Sequence, residues 1–146
     1  MKIGFTLIFL LLIISSGFAQ TEVSWSFSYD AEKNQVVAQA DIGDGWHLYS
    51  TEKATEMGPI PTEFEFDVVE GVELIGSIQE PEPIVDFDAN FGETLYYFEK
   101  EVTFVQGLKV SSAEELNGTV TYMVCNEEMC MPPVDVKFTI ELVHEN

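Results

Sequence analysis

In the last part of the chain Val134, Val136, Phe138, Ile140 and Leu142 alternate with Asp135, Lys137, Thr139 and Glu141. A period of two puts every apolar side chain on one face and every polar one on the other, which a β-strand can use and a helix cannot. The same alternation runs through Val23-Ser24-Trp25-Ser26-Phe27-Ser28-Tyr29. It recurs at Val36, Ala38, Ala40 and Ile42, at Phe64, Phe66 and Val68, and at Val120, Tyr122 and Val124. Turn residues separate these runs: Asp30 to Asn34, Gly43-Asp44-Gly45, Glu70-Gly71 and Asn117-Gly118. Trp46-His47-Leu48-Tyr49 and Val72-Glu73-Leu74-Ile75 are shorter runs. Leu95 to Val105 reads as one longer strand with some irregularity at Tyr96-Tyr97-Phe98. Glu52 to Met57 and Ser111 to Glu115 suggest single turns at most, and Asp86 to Gly92 an irregular acidic passage. The expectation is an all-β chain of about eight strands, an antiparallel β-sandwich of immunoglobulin-like type, with a β-barrel as the competitor that periodicity does not separate from it.

Residues 1–19 stand apart from this pattern. Lys2 supplies a positive start, Phe5 to Ile14 an apolar run, and Gly17 and Ala19 the small residues of a cleavage site before Gln20. This is the signature of a secretory signal peptide, too short to serve as a stable membrane span. Residues 20–146 then form one domain, large enough to bury a core without covalent staples. The expected location is the periplasm, with no membrane insertion and as a monomer.

Charge excludes one class of partner. The chain has 26 acidic residues against six lysines and no arginine, a net charge of −20 that becomes −21 once Lys2 leaves with the signal peptide. Such a surface repels phosphate backbones, so nucleic-acid binding is ruled out, and protein partners should present neutral or basic surfaces.

The only two cysteines lie in Tyr122-Met123-Val124-Cys125-Asn126-Glu127-Glu128-Met129-Cys130-Met131-Pro132-Pro133. Cys125 ends one strand and Cys130 precedes the next, which places both thiols at the rim of a sheet. As a staple the pair is weak, because closing a ring of six residues stabilises by only about 2 kcal/mol against nearly 5 for a ring of one hundred. A short ring can instead open and close without unfolding the domain. Three readings follow: a working dithiol/disulfide, a structural bridge, and a soft Cu(I) site built from Cys125, Cys130, Met123, Met129 and Met131. Neither histidine completes a zinc site, since His144 is terminal and His47 reads as an ordinary strand residue. No hydrolytic arrangement and no cofactor motif is visible. Glu127 and Glu128 lie inside the loop, and nearby anions disfavour a thiolate. The thiols are therefore expected to attack poorly near neutral pH and to serve better as a disulfide that a partner's thiol attacks.

The cysteine motif with Met131-Pro132-Pro133, the segment Asp44-Gly45-Trp46-His47-Leu48-Tyr49 and the segment Asp88-Ala89-Asn90-Phe91-Gly92 together resemble the N-terminal periplasmic domain of the thiol–disulfide interchange protein DsbD family. The resemblance spans most of the mature chain and implies an immunoglobulin-like fold with a redox-active pair, Cys125 and Cys130. It implies that Cys130 forms the mixed disulfide with partners and that Cys125 resolves it. It further implies an aromatic cap loop at Asp88 to Gly92, with Phe91 as the cap and Phe87 as the second choice, and a nearby tyrosine at Tyr49. The electron donor would be thioredoxin-like or membrane-bound, and the acceptor a periplasmic protein containing a disulfide. Two departures stand out: the cysteine spacing is one residue shorter than in a well-known family member, and Met131 stands where that member has an aromatic. The family's membrane-embedded carrier and second periplasmic domain are not within the 146 residues, so the expectation is a domain that either meets its donor by diffusion or has lost the electron-relay role.

Overall fold

A computed structural model describes residues 22–52 and 57–142. The signal peptide expected at residues 1–19, most of the turn expected at Glu52 to Met57, and His144 lie outside the described residues. The alternating runs become strands β1 (Val23–Asp30), β2 (Gln35–Ile42), β3 (His47–Tyr49), β4 (Glu63–Asp67) and β5 (Val72–Gln79). They are followed by β6 (Ile84–Asp88), β7 (Glu93–Phe98), β8 (Glu101–Val110), β9 (Glu115–Tyr122), β10 (Val124–Cys125) and β11 (Val134–Glu141). Every pairing is antiparallel, in three sheets ordered β1-β2-β8-β5, β11-β9-β4 and β10-β3-β7-β6. This is an immunoglobulin-like β-sandwich.

Alternation decides which faces meet. Val36, Ala38, Ala40 and Ile42 of β2 and Val102, Phe104 and Leu108 of β8 are buried, while their neighbours in sequence are not. One core cluster joins Ala38, Ala40 and Phe104 of the first sheet to Tyr122 of the second and to Leu48, Phe98 and Val124 of the third. A second joins Val36, Val72 and Leu108 to Leu116, Phe138 and Ile140. Fully burying a side chain of this kind stabilises by roughly 1.5–3 kcal/mol, so this double cluster, rather than the cysteine bridge, carries the fold.

Among the described residues eleven strands replace the expected eight or so, and two of the differences have a clear local cause. The run from Leu95 to Val105 is two strands, because Lys100 takes a left-handed backbone conformation (φ 66°) and turns a corner between β7 and β8. At that corner the Lys100 carbonyl accepts a hydrogen bond from the Ile42 amide at 2.7 Å. The acidic passage after Pro83 is the edge strand β6, whose partner β7 supplies the hydrogen bonds that its sequence does not advertise. Val68 lies just beyond β4 and is half exposed. No helical turn forms at Ser111 to Glu115. Asn117-Gly118 is no turn either: it sits within β9, where a Cβ on Gly118 would lie 2.4 Å from Phe138 Cζ and 2.6 Å from the Glu65 carbonyl oxygen. Glycine is there because another element passes too close for any side chain.

Candidate active site: a capped disulfide in an acidic groove

Cys125 and Cys130 are joined by a disulfide with their Cα atoms 4.0 Å apart. The local backbone explains the pairing. The Met131 amide donates to the Val124 carbonyl at 2.9 Å, and the Asn126 amide donates to the Met129 carbonyl at 2.8 Å. Between these bonded pairs the two cysteines form the non-hydrogen-bonded pair of a small antiparallel hairpin, the position at which opposed Cα atoms come closest. Asn126 closes the tip, its Oδ1 accepting from the amides of Glu128 and Met129 at 2.9 and 2.8 Å. The sulfur-bearing residues are not equivalent: Cys125 is 4% exposed, whereas Cys130 is half-buried.

The third sheet forms the floor of the site. Cys125 stands opposite His47, and Tyr49 stands opposite Tyr97, so these four side chains share one face. Tyr49, Leu95, Tyr97 and Cys125 make a small buried cluster against which Phe91 and Cys130 pack. Phe91 comes from the β6–β7 loop, which the Asp88 carboxylate folds: Oδ1 accepts from the Asn90 amide at 2.7 Å and from the Phe91 amide at 3.3 Å. The Gly92 amide donates to the Asp88 carbonyl at 2.8 Å, and Gly92 supplies the left-handed residue (φ 70°) that closes the loop. Phe91 thereby lies over the cluster that holds the disulfide.

A polar clamp steadies the strand carrying Tyr49. Glu80 accepts from the Ser50 hydroxyl, and it accepts from the Thr51 amide and hydroxyl at 2.9 and 3.0 Å. The buried Thr62 hydroxyl donates to the Tyr49 carbonyl at 2.5 Å.

The disulfide opens into a groove of about 730 Å³. Asp86, Asp88, Glu99, Glu127 and Glu128 line it together with His47, Tyr49, Phe91, Tyr97 and both cysteines. His47 Nε2 pairs with Glu99 Oε1 at 2.9 Å, and its ring stacks on Tyr97 with centroids 4.1 Å apart. Burial, and then the charge of Asp88 and the neighbouring Tyr97, push the Tyr49 phenol up to about 12. The Tyr97 phenol is also raised, by burial first and then by Asp86 and Glu99. Both hydroxyls therefore stay protonated in an ordinary buffer. A larger, more open depression of about 850 Å³ runs along Lys33, Gln39, Thr103 and Val105 on the outer side of β2 and β8, away from either sulfur.

The sequence profile of the family described as "Thiol:disulfide interchange protein DsbD, N-terminal" matches residues 16–142. The chain belongs to this family. Three solved structures have the same fold. The reduced DsbD N-terminal domain of Neisseria meningitidis is 19% identical with a TM-score of 0.62, the alignment covering 82% of this chain and 85% of that one. The DsbD N-terminal domain in complex with the PilB N-terminal domain, also from Neisseria meningitidis, is 17% identical at a TM-score of 0.60, over 80% of each chain. The N-terminal periplasmic domain of ScsB from Proteus mirabilis is 19% identical at 0.55, over 82% of this chain and 45% of that one. No curated protein matches the chain.

Within this DsbD N-terminal domain the structure brings together Cys125, Cys130, Tyr49, Asp88 and Phe91. Met131 stands outside this groove, and Phe87 borders an adjacent depression of about 210 Å³ with His47, Asp86, Asp88 and Tyr97. Phe87 lies between Asp86 and Asp88 on β6 and so points from the opposite face, where it is 62% exposed. Met131, next to Cys130, turns the other way and packs on the central core. Met129 is exposed at the groove, so two of the three methionines of the soft-metal reading, Met129 and Met131, diverge. Among the described residues no group of three or more His, Cys, Asp or Glu is placed to hold a metal ion, and no helix is long and apolar enough to cross a membrane. Sequence reading missed His47, Tyr97, Glu99 and Asp86. The signal for His47 was present, because it lies two residues from Tyr49 and therefore on the same face of one strand.

Proposed function

We propose that the domain is an extracytoplasmic thiol–disulfide exchange module working through Cys125 and Cys130. A thioredoxin-like or membrane-bound donor reduces the pair, and the dithiol then reduces a disulfide in a periplasmic acceptor protein. The observation that carries this reading is the inequality of the two cysteines under a single aromatic cap. Cys130 is half-buried, while Cys125 is 4% exposed within the cluster against which both Phe91 and Cys130 pack. A donor thiolate attacks Sγ of Cys130, the S–S bond breaks, and its electron pair goes to Sγ of Cys125. A second donor thiol resolves the mixed disulfide and leaves both cysteines reduced. Transfer to an acceptor runs the same steps in reverse, with Cys130 attacking and Cys125 resolving. Exchange of this kind does not disturb the sandwich, because the bridge closes only a six-residue hairpin.

Family membership supports the chemistry, and the relative solved with the PilB N-terminal domain supports a face that docks another protein domain. We place the working domain at residues 20–146 behind a cleaved signal peptide at residues 1–19, in the periplasm, as a monomer. The test pairs a Cys125→Ala variant, which leaves Cys130 free to trap a mixed disulfide, with measurement of the reduction potential. Capture of a thioredoxin-like protein through Cys130 is the expected result. A potential below about −300 mV with nothing captured would make the bridge structural.

A further inference from the structure

We infer that His47, oriented by Glu99, is the acid–base partner of Cys125 during exchange. The inference rests on the reading above, in which Cys125 carries the electron pair released when Cys130 is attacked.

Three residues lie in one row across the floor of the groove. Cys125 and His47 are directly opposed in the β10–β3 register. Leu48 pairs with Phe98 and Tyr49 with Tyr97, so the same β3–β7 register carried one step further sets His47 against Glu99, just past the end of β7. Opposed residues of antiparallel strands project to the same side with Cβ atoms roughly 4.5–5.5 Å apart, which puts the imidazole within reach of the sulfur. Its other side is fixed by the 2.9 Å bond from Nε2 to Glu99 and by the stack on Tyr97.

The groove creates a need for such a group. Sγ of Cys125 receives the electron pair when the S–S bond breaks, yet Cys125 is 4% exposed and water does little to solvate a thiolate there. Asp86, Asp88, Glu127 and Glu128 face the same space, and each opposes a second negative charge. Tyr49 and Tyr97 are neutral there. Among the described residues lining the groove, His47 alone is basic. With Nε2 held by Glu99, Nδ1 is the position that exchanges a proton with the sulfur. As the donor thiolate attacks Cys130, the imidazolium gives its Nδ1 proton to Sγ of Cys125 and becomes neutral. In the outward direction neutral His47 takes that proton back, so that the Cys125 thiolate can attack Sγ of Cys130 and release the acceptor as a thiol. Glu99 is the positioning residue of this pair, and the acceptor's own sulfurs take up the electrons.

Three measurements test the assignment. In a Cys130→Ser background, where Cys125 is a single free thiol, thiolate absorbance near 240 nm is followed against pH with and without His47→Phe. The curve of the His47→Phe protein should move to higher pH. In the wild-type background, reduction by dithiothreitol at pH 7 should slow about a hundredfold in His47→Phe, the low end of what a positioned acid contributes, and by less in Glu99→Gln. Added imidazole should restore part of the rate in His47→Ala, which a merely structural histidine would not allow. Unchanged titration curves and rates in both His47→Phe and Glu99→Gln would overturn the inference. Slow reduction of the wild-type protein itself would instead count against the exchange reading. The titration of Cys125 needs no partner and separates the two failures.

Discussion

The carboxylate of Asp88 holds the backbone amide of Phe91 at 3.3 Å, and through that contact an acidic residue sets the position of an apolar side chain that packs on the cluster of Tyr49, Tyr97 and Cys125. Asp88 also holds the Asn90 amide at 2.7 Å, so the loop is tied at two successive points. The same carboxylate lies near enough to Tyr49 to raise its phenol. One side chain thus shapes the cap and charges the groove beneath it.

Opening of the cap should limit reduction. Phe91→Ala removes the cover, and Asp88→Ala removes the hydrogen bonds that place it, whereas Asp88→Asn keeps an acceptor oxygen. A hydrogen bond contributes about 1 kcal/mol net, or roughly fivefold in a closing equilibrium. Reduction by dithiothreitol, followed by thiol release, should be about fivefold faster in Phe91→Ala and Asp88→Ala and close to wild type in Asp88→Asn. Equal rates in all four proteins would show that the cap does not shield the bond.

Alkali should destabilise the fold through Tyr49. Its phenol is raised from 10.0 to about 12, so the folded state favours the neutral form. The contribution is fully present below pH 10, the unfolded value, and is lost as pH rises through about 12. Two units correspond to at most about 2.7 kcal/mol. Urea midpoints measured between pH 9 and 12 should fall less steeply for Tyr49→Phe than for wild type.

The Glu80 clamp should contribute measurably to stability, because its hydrogen bonds are partly buried. Glu80→Ala strips partners from the Ser50 hydroxyl and from the amide and hydroxyl of Thr51, and Ser50 is 1% exposed. Leaving buried donors unpaired costs about 1–3 kcal/mol. Equilibrium urea unfolding should register that loss, and Glu80→Gln, which keeps an acceptor, should recover part of it.

Gly118→Ala should be among the costlier single-methyl additions. The new Cβ would meet the Phe138 ring and the Glu65 backbone in a strand paired on both sides, and only the ring can give way. Overpacking of this kind costs about 1–3 kcal/mol. Gly118→Ala combined with Phe138→Leu should recover part of the loss, measured as a urea midpoint.

Strand count and strand boundaries were legible where alternation is strict. β1, β2, β4 and β11 fall within a residue or two of the runs read from the sequence. β6 was not legible, because Ile84, Asp86 and Asp88 mix apolar and acidic residues on one face of an edge strand while Val85 and Phe87 stand exposed on the other. The break at Glu99-Lys100 was hidden too, since no glycine or proline marks it and only the positive φ of Lys100 makes the corner.

The sequence by itself determined the class of fold, through the period of its apolar residues, and confined any sulfur chemistry to two cysteines set in one short loop. Those are local properties of neighbouring residues, and they survive without knowledge of what lies across the sheet. Which residues surround the sulfurs was a tertiary decision. His47 reads as an ordinary strand residue until β3 pairs with β10 on one side and β7 on the other. The register of those pairings then sets His47 opposite Cys125 and its Nε2 against the Glu99 carboxylate, in the groove that Phe91 also lines. Registers are set by packing over the whole sheet, where a slip of one residue would turn every side chain to the other face. No stretch of sequence read alone carries that information.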